Sequence, residues 1–348
     1  MKNLPHFLWL IGLALALLLA GCQSSATPTP VPVSATPTLP APTGEPTPAL
    51  APSATAAPAK LWLVIPPGAP QPAAQEIQTA VNALAKSANL FVETRPDLKP
   101  AELPAEVKVV VWINAPAEAV QAAAAVPRTA FALFTAADVK PVSNITVIRL
   151  RSEFQAFAAG LVAVTLTPNW RAGALLTSGS PAAQAFQDAF MTGARYFCGR
   201  CAPGWPLGMV FPQPAALPPT SDAKAWQNAA NDLIQNKKVE TIFLAPESAS
   251  PETIQFISSK KIPVFGLQTP PEDLRALWAV TIKIDAVSPL QKAFPDLVAG
   301  KGGALLNAEV VLQDVQTERL GEGRQRFIRD ILAELQAGLI NPFSVPGQ

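Results

Sequence analysis

From Lys60 onward the chain alternates short, nearly continuous apolar runs with longer segments whose apolar residues recur every three or four positions. The runs at 61–65, 90–94, 107–113, 130–134 and 145–150 predict strands, the run V-K-V-V-V-W-I being the central one. Between them, residues 76–88 carry Ile77, Val81, Leu84 and Ala85 on one face, and residues 117–125 form a second helical segment. Apolar strands separated by helices are those of a parallel sheet covered on both faces.

The stretch from Arg151 to Phe197 organises the rest of the chain. Phe154, Phe157, Leu161 and Val164 share one helical face. Residues 172–176 then read as a buried strand, and Ser178-Gly179-Ser180-Pro181 as the turn after it. Pro181 suits a helix N-terminus, and Phe186, Phe190 and Ala194 repeat along the next helix. Here a first α/β lobe, residues 60–168, hands over to a second, residues 169–280.

The second lobe repeats the plan. Strands are expected at 172–176, 207–211, 241–244 and 263–267, with helices over 182–197, 222–235 and 251–260. Residues 280–284 read as a crossover strand, so 281–348 return to the first lobe through a helix at 290–299. An amphipathic closing helix follows over 323–337. Two α/β lobes joined by several crossings make a hinged clamshell.

The N-terminus reads differently. Lys2, an apolar run over 7–20 and the tetrapeptide Leu19-Ala20-Gly21-Cys22 form a lipoprotein signal peptide, residues 1–21, ending in a lipobox. Cys22 would then be lipidated and tether the protein outside the cytoplasm to a bacterial cell membrane. Residues 22–59 are almost all Pro, Thr, Ala and Ser, a composition that cannot bury enough apolar surface to fold. At about 3.1 Å per residue, such a stalk reaches up to ~100 Å.

Charge and histidine remove whole classes of function. The chain has 26 Lys+Arg against 25 Asp+Glu, and loss of Lys2 with the signal peptide leaves 25 against 25. A neutral domain with scattered charge has no electrostatic footprint for nucleic acid. The one histidine, His6, lies in the signal peptide. The mature chain therefore has no imidazole for a Ser-His or Cys-His nucleophile and none for zinc, and no cofactor is implied. The reading is of a protein that is not an enzyme. Cys198-Gly199-Arg200-Cys201 follows a helix instead of opening one, so a local structural disulfide is expected over a redox centre. Asn144-Ile145-Thr146 matches a glycosylation sequon of little weight.

The pattern F-x-A-x-x-A-G, a strand ending in a small-residue loop, then F-x-x-x-F-x-x-G-A resembles the BMP (basic membrane protein) family. The similarity continues through 241–244, 263–268, 280–285, 297–303 and 335–346, most of the chain after Lys60. Members are extracytoplasmic substrate-binding lipoproteins of ABC transporters, related to purine-nucleoside receptors. The resemblance implies a two-lobed type I periplasmic-binding-protein fold, each lobe a doubly wound parallel sheet. It also implies a small-molecule ligand and an ABC permease as partner; a ligand sensor without a transport role is the alternative.

Family receptors hold ribose with carboxylates and stack the base on aromatic rings. Lys283 matches the family's crossover-strand lysine, and Phe186 an aromatic of the first second-lobe helix. Gln268 and Thr135 stand where the family has aspartates, and the loop after the first strand, residues 66–72, holds no acid. These four are the candidate ligand-binding residues. With no acid nearby to neutralise Lys283, an anionic or amide-bearing ligand is expected. The plainer alternatives are a solvated lysine at 283 and a core phenylalanine at 186, pairing with Phe190.

Overall fold

A computed structural model describes residues 58–69, 71 and 73–344. The expected signal peptide, Cys22 and nearly all of the expected linker lie outside the described residues.

The first lobe begins with β1 (Lys60–Val64), α1 (Ala73–Ser87), β2 (Phe91–Arg95) and β3 (Val107–Trp112). It continues with α2 (Ala119–Ala124), β4 (Ala130–Thr135) and β5 (Ile145–Arg149). The chain then forms α3 (Ser152–Thr165), β6 (Ala172–Thr177), α4 (Pro181–Cys198), β7 (Gln213–Leu217) and α5 (Ala223–Gln235). Next come β8 (Thr241–Leu244), α6 (Pro251–Ser259), β9 (Val264–Gly266) and β10 (Trp278–Asp285). The last elements are α7 (Val287–Val298), β11 (Leu305–Asn307), β12 (Glu309–Gln313) and α8 (Glu322–Gln336).

These strands build two six-stranded sheets, ordered β11-β5-β4-β3-β1-β2 and β12-β10-β9-β8-β6-β7. All pairings are parallel except β10 with β12. In the first sheet, Leu61, Leu63, Val109 and Val111 pack with α1 and α7 on one face. Val64, Val110, Phe131 and Leu133 pack with α2 on the other. Asn144 is buried, its side-chain amide donating to the carbonyls of Ala123, Val126 and Thr129, which excludes it as a glycan acceptor in the folded chain.

The second sheet shares one continuous core with α3, α4, α5, α6 and α8. Three of its helices start from side-chain caps: Ser180 accepts from Ala183 N, Asp222 from Ala225 N and Ser250 from Thr253 N. α3 is buried along nearly its whole length and lies against α4 with no room for side chains at the crossing. A Cβ on Gly160 would overlap the carbonyl oxygen of Phe190, and one on Gly193 that of Phe157. Disulfide-bonded Cys198 and Cys201, their Cα atoms 4.9 Å apart, close the end of α4.

The structure departs from the expected boundaries in three places. α3, read as the end of the first lobe, belongs to the second core, as does α8 through Ile328, Leu332 and Leu335. Only α7 and β11 of the last segment join the first lobe. The strand expected at 207–211 is absent: Leu207 is 86% exposed, Gly208 adopts φ 78°, and the strand forms instead at Gln213–Leu217. That strand sits at the sheet edge, where Pro214 removes no ladder bond the sheet needs.

Candidate functional site

Three crossings join the lobes, and all involve the carboxyl ends of strands. β5 leads to α3, β10 to α7, and β11 passes directly to β12 through Ala308. In open parallel sheets, ligands bind beyond the carboxyl ends of the strands. Here those ends carry loops from both lobes, and side chains reach across.

Lys283, half-buried in β10, places its Nζ 2.5 Å from Oε2 of Glu76 in the first turn of α1. The expectation of an unneutralised lysine is therefore wrong, because its partner comes from the opposite lobe. Gln268, just past β9, donates from Nε2 to the carbonyl of Gln71 at 3.2 Å, again across the lobes. These two contacts bring the second lobe's candidates to the entry of α1.

Thr135 and Phe186 are not part of that meeting. Thr135 ends β4 at 3% exposure, and its Oγ1 accepts from Ala137 N at 3.1 Å, so the hydroxyl shapes its own turn. Phe186 stacks on Phe243, ring centroids 6.0 Å apart at 20°, and packs against the second core. Phe190 lies against the same ring, so the two phenylalanines pair through Phe243. Trp278 is equally a core residue, 1% exposed. Its Nε1 donates to Thr281 Oγ1, which with Thr269 Oγ1 donates to Asp314 Oδ2.

Several residues at the crossings carry no sequence motif. Asp285 ends β10 and accepts from the backbone of Val287 and Ser288 and from the Ser288 hydroxyl, fixing the start of α7. Burial pushes its pKa up, but the Ser288 hydroxyl, the two backbone N–H groups and the Lys283 charge outweigh it, holding the carboxyl below its ordinary value. Arg149 ends β5 paired with Asp138, its Nε buried without a partner. Glu76 was within reach of sequence reasoning, since it opens the predicted helix just beyond the acid-free loop.

Among the described residues, no group of three or more His, Cys, Asp or Glu could hold a metal ion. No described helix is long and apolar enough to cross a membrane. No protein-family model matches the chain, and no curated protein matches it.

Solved structures do. An ABC transporter solute-binding protein from Conexibacter woesei superposes with a TM-score of 0.60 at 17% identity, over 81% of this chain and 98% of that one. A transcriptional activator of the comK gene from Bacillus halodurans gives 0.57 at 12% identity, over 82% and 99%. An ABC transporter solute-binding protein from Aeropyrum pernix gives 0.56 at 14% identity, over 84% and 94%. The chain has the two-lobed type I periplasmic-binding-protein fold. None of these three neighbours is named as an enzyme.

Proposed function

We propose that the protein is an extracytoplasmic substrate-binding lipoprotein of an ABC importer, closing its lobes over a small polar molecule and presenting the closed form to a permease. The observation that carries this reading is the pair of cross-lobe contacts, Lys283 to Glu76 and Gln268 to Gln71, at the carboxyl ends of the two sheets. The fold shared with two named solute-binding proteins supports it. BMP-family membership remains a proposal resting on the sequence pattern.

Because Glu76 neutralises Lys283, an uncharged ligand suits the cleft better than an anion. Glu76 also returns a carboxylate to the site at a different position, and a carboxylate accepts charge-assisted bonds from hydroxyls. A polyhydroxyl ligand, a nucleoside or a sugar, fits that chemistry. Thr135 and Phe186 stay in the proposal as secondary contacts.

A thermal-shift screen of nucleosides, sugars and amino acids, followed by calorimetry on variants, tests it. Lys283→Ala should weaken the ligand by about 1.5–3 kcal/mol, the scale of a bond to a charged group. Gln268→Asp should tighten a nucleoside. If a ligand is found and Lys283, Glu76 and Gln268 all prove silent, the site is elsewhere. For the anchor, Cys22→Ala should abolish lipid labelling. A sensory lipoprotein without transport is the second reading, favoured by the neighbour named as a transcriptional activator. Adjacent permease and ATPase genes would speak against it.

A further inference from the structure

A groove away from the cleft has the make-up of a binding site. The C-terminal ends of α3 and α4, the residues that follow α3 and the first turns of α8 border an open groove of about 290 Å³, near the lower size of small-molecule pockets. None of the four cleft candidates lines it. Its apolar walls include Trp170, Phe197 and Phe327. The last two rings meet edge to face at 5.5 Å and stay 42% and 37% exposed, so the second core does not absorb them.

Polar groups converge on the same groove. Thr167 lines it at 5% exposure, and its Oγ1 is buried with no hydrogen-bond partner. A buried hydroxyl left unsatisfied costs free energy that a bound acceptor would recover. α8 starts at Gly321 without a side-chain cap, which leaves first-turn N–H groups free beside Gly323 and Arg324. Arg324 has no ion-pair partner among the described residues and sits at the positive end of the helix, where a cation is disfavoured and an anion favoured. Exposed Glu322 offsets part of that charge.

We propose that this groove is a second ligand site, taking a small aromatic carboxylate. The ring lies among Trp170, Phe197 and Phe327. The carboxylate meets Arg324 and the opening amides of α8, and one of its oxygens accepts from the Thr167 hydroxyl. The site is independent of the cleft and of the solute reading above.

Titration of the full chain with phenylacetate, followed by calorimetry or ligand-observed NMR, tests this. Saturable binding is expected, weaker for phenylacetamide and weaker still for acetate. Arg324→Gln, on an exposed position, should weaken phenylacetate about tenfold or more, the scale of one charge-assisted contact. Thr167→Val keeps the volume and loses no existing bond, so it should weaken binding without lowering thermal stability. Lys283→Ala should leave phenylacetate binding unchanged. Absence of saturable binding, an unaffected Arg324→Gln variant, or loss of binding in Lys283→Ala would each overturn the proposal.

Discussion

The first lobe holds its sheet between two separate clusters, one per face, built from side chains of α1 and α7 on one side and α2 on the other. The second lobe winds its strands in the same order but packs through one continuous cluster, in which α3 and α4 touch backbone to backbone at Gly160 and Gly193. One strand order therefore supports two ways of packing. Side-chain interdigitation tolerates small volume changes, whereas a glycine-mediated crossing leaves no slack for even one methyl group.

The largest test of that difference adds the missing methyl. Gly160→Ala or Gly193→Ala should destabilise by about 3 kcal/mol or more, because the obstructing atoms are backbone and cannot rotate away as in ordinary overpacking. Chemical denaturation measures it, and variants as stable as the parent would mean that the helices separate without cost.

The joint between the lobes ranks second. Asp285→Ala removes the acceptor at the start of α7 and should cost about 1–2 kcal/mol, the upper range for a helix cap. The same residue sets a pH dependence. Its folded pKa lies below the unfolded value near 3.8, so its contribution is full above that value and is lost as pH falls through the folded one. Acid unfolding of Asp285→Asn should lack that portion, and identical acid transitions in variant and parent would remove the carboxylate from the joint.

The smallest effect is expected at the cleft itself. Lys283 and Glu76 retain 25% and 40% of their side-chain exposure, so in the ligand-free protein Lys283→Ala should change stability by less than ~1 kcal/mol. A much larger loss would show that the pair holds the lobes together by itself.

The apolar strands of both sheets were legible because full burial leaves uninterrupted hydrophobic runs. β7, β11 and β12 were not, since residues such as Pro214, Leu305 and Glu309 remain exposed and break the pattern. The lobe to which α3 belongs was hidden for the opposite reason. The sequence of α3 reads as one apolar face, while the structure buries nearly every position of it, and apolar residues announce burial but not the partner. The A-G and G-A pairs were visible as letters, yet only the crossing of α3 and α4 explains why a side chain is forbidden there. Lys283 and Gln268 were found by resemblance. Glu76 could be placed at the start of the predicted helix, but its pairing with Lys283, like that of Gln71 with Gln268, depends on how two lobes meet, which no local pattern encodes.

Ala308 alone separates β11 in one sheet from β12 in the other; it is 2% exposed, and its N–H is held by the carbonyl of Arg149 at 3.0 Å. β11 neighbours β5 and β12 neighbours β10, so the three crossings lie side by side. Adjacent pivots with so little chain between them define an axle. Sliding and splaying of one half past the other are geometrically suppressed, and a swing about that axle remains as the soft coordinate. Under the proposed solute-binding role, a molecule held between the halves would be reported outward as a single angle.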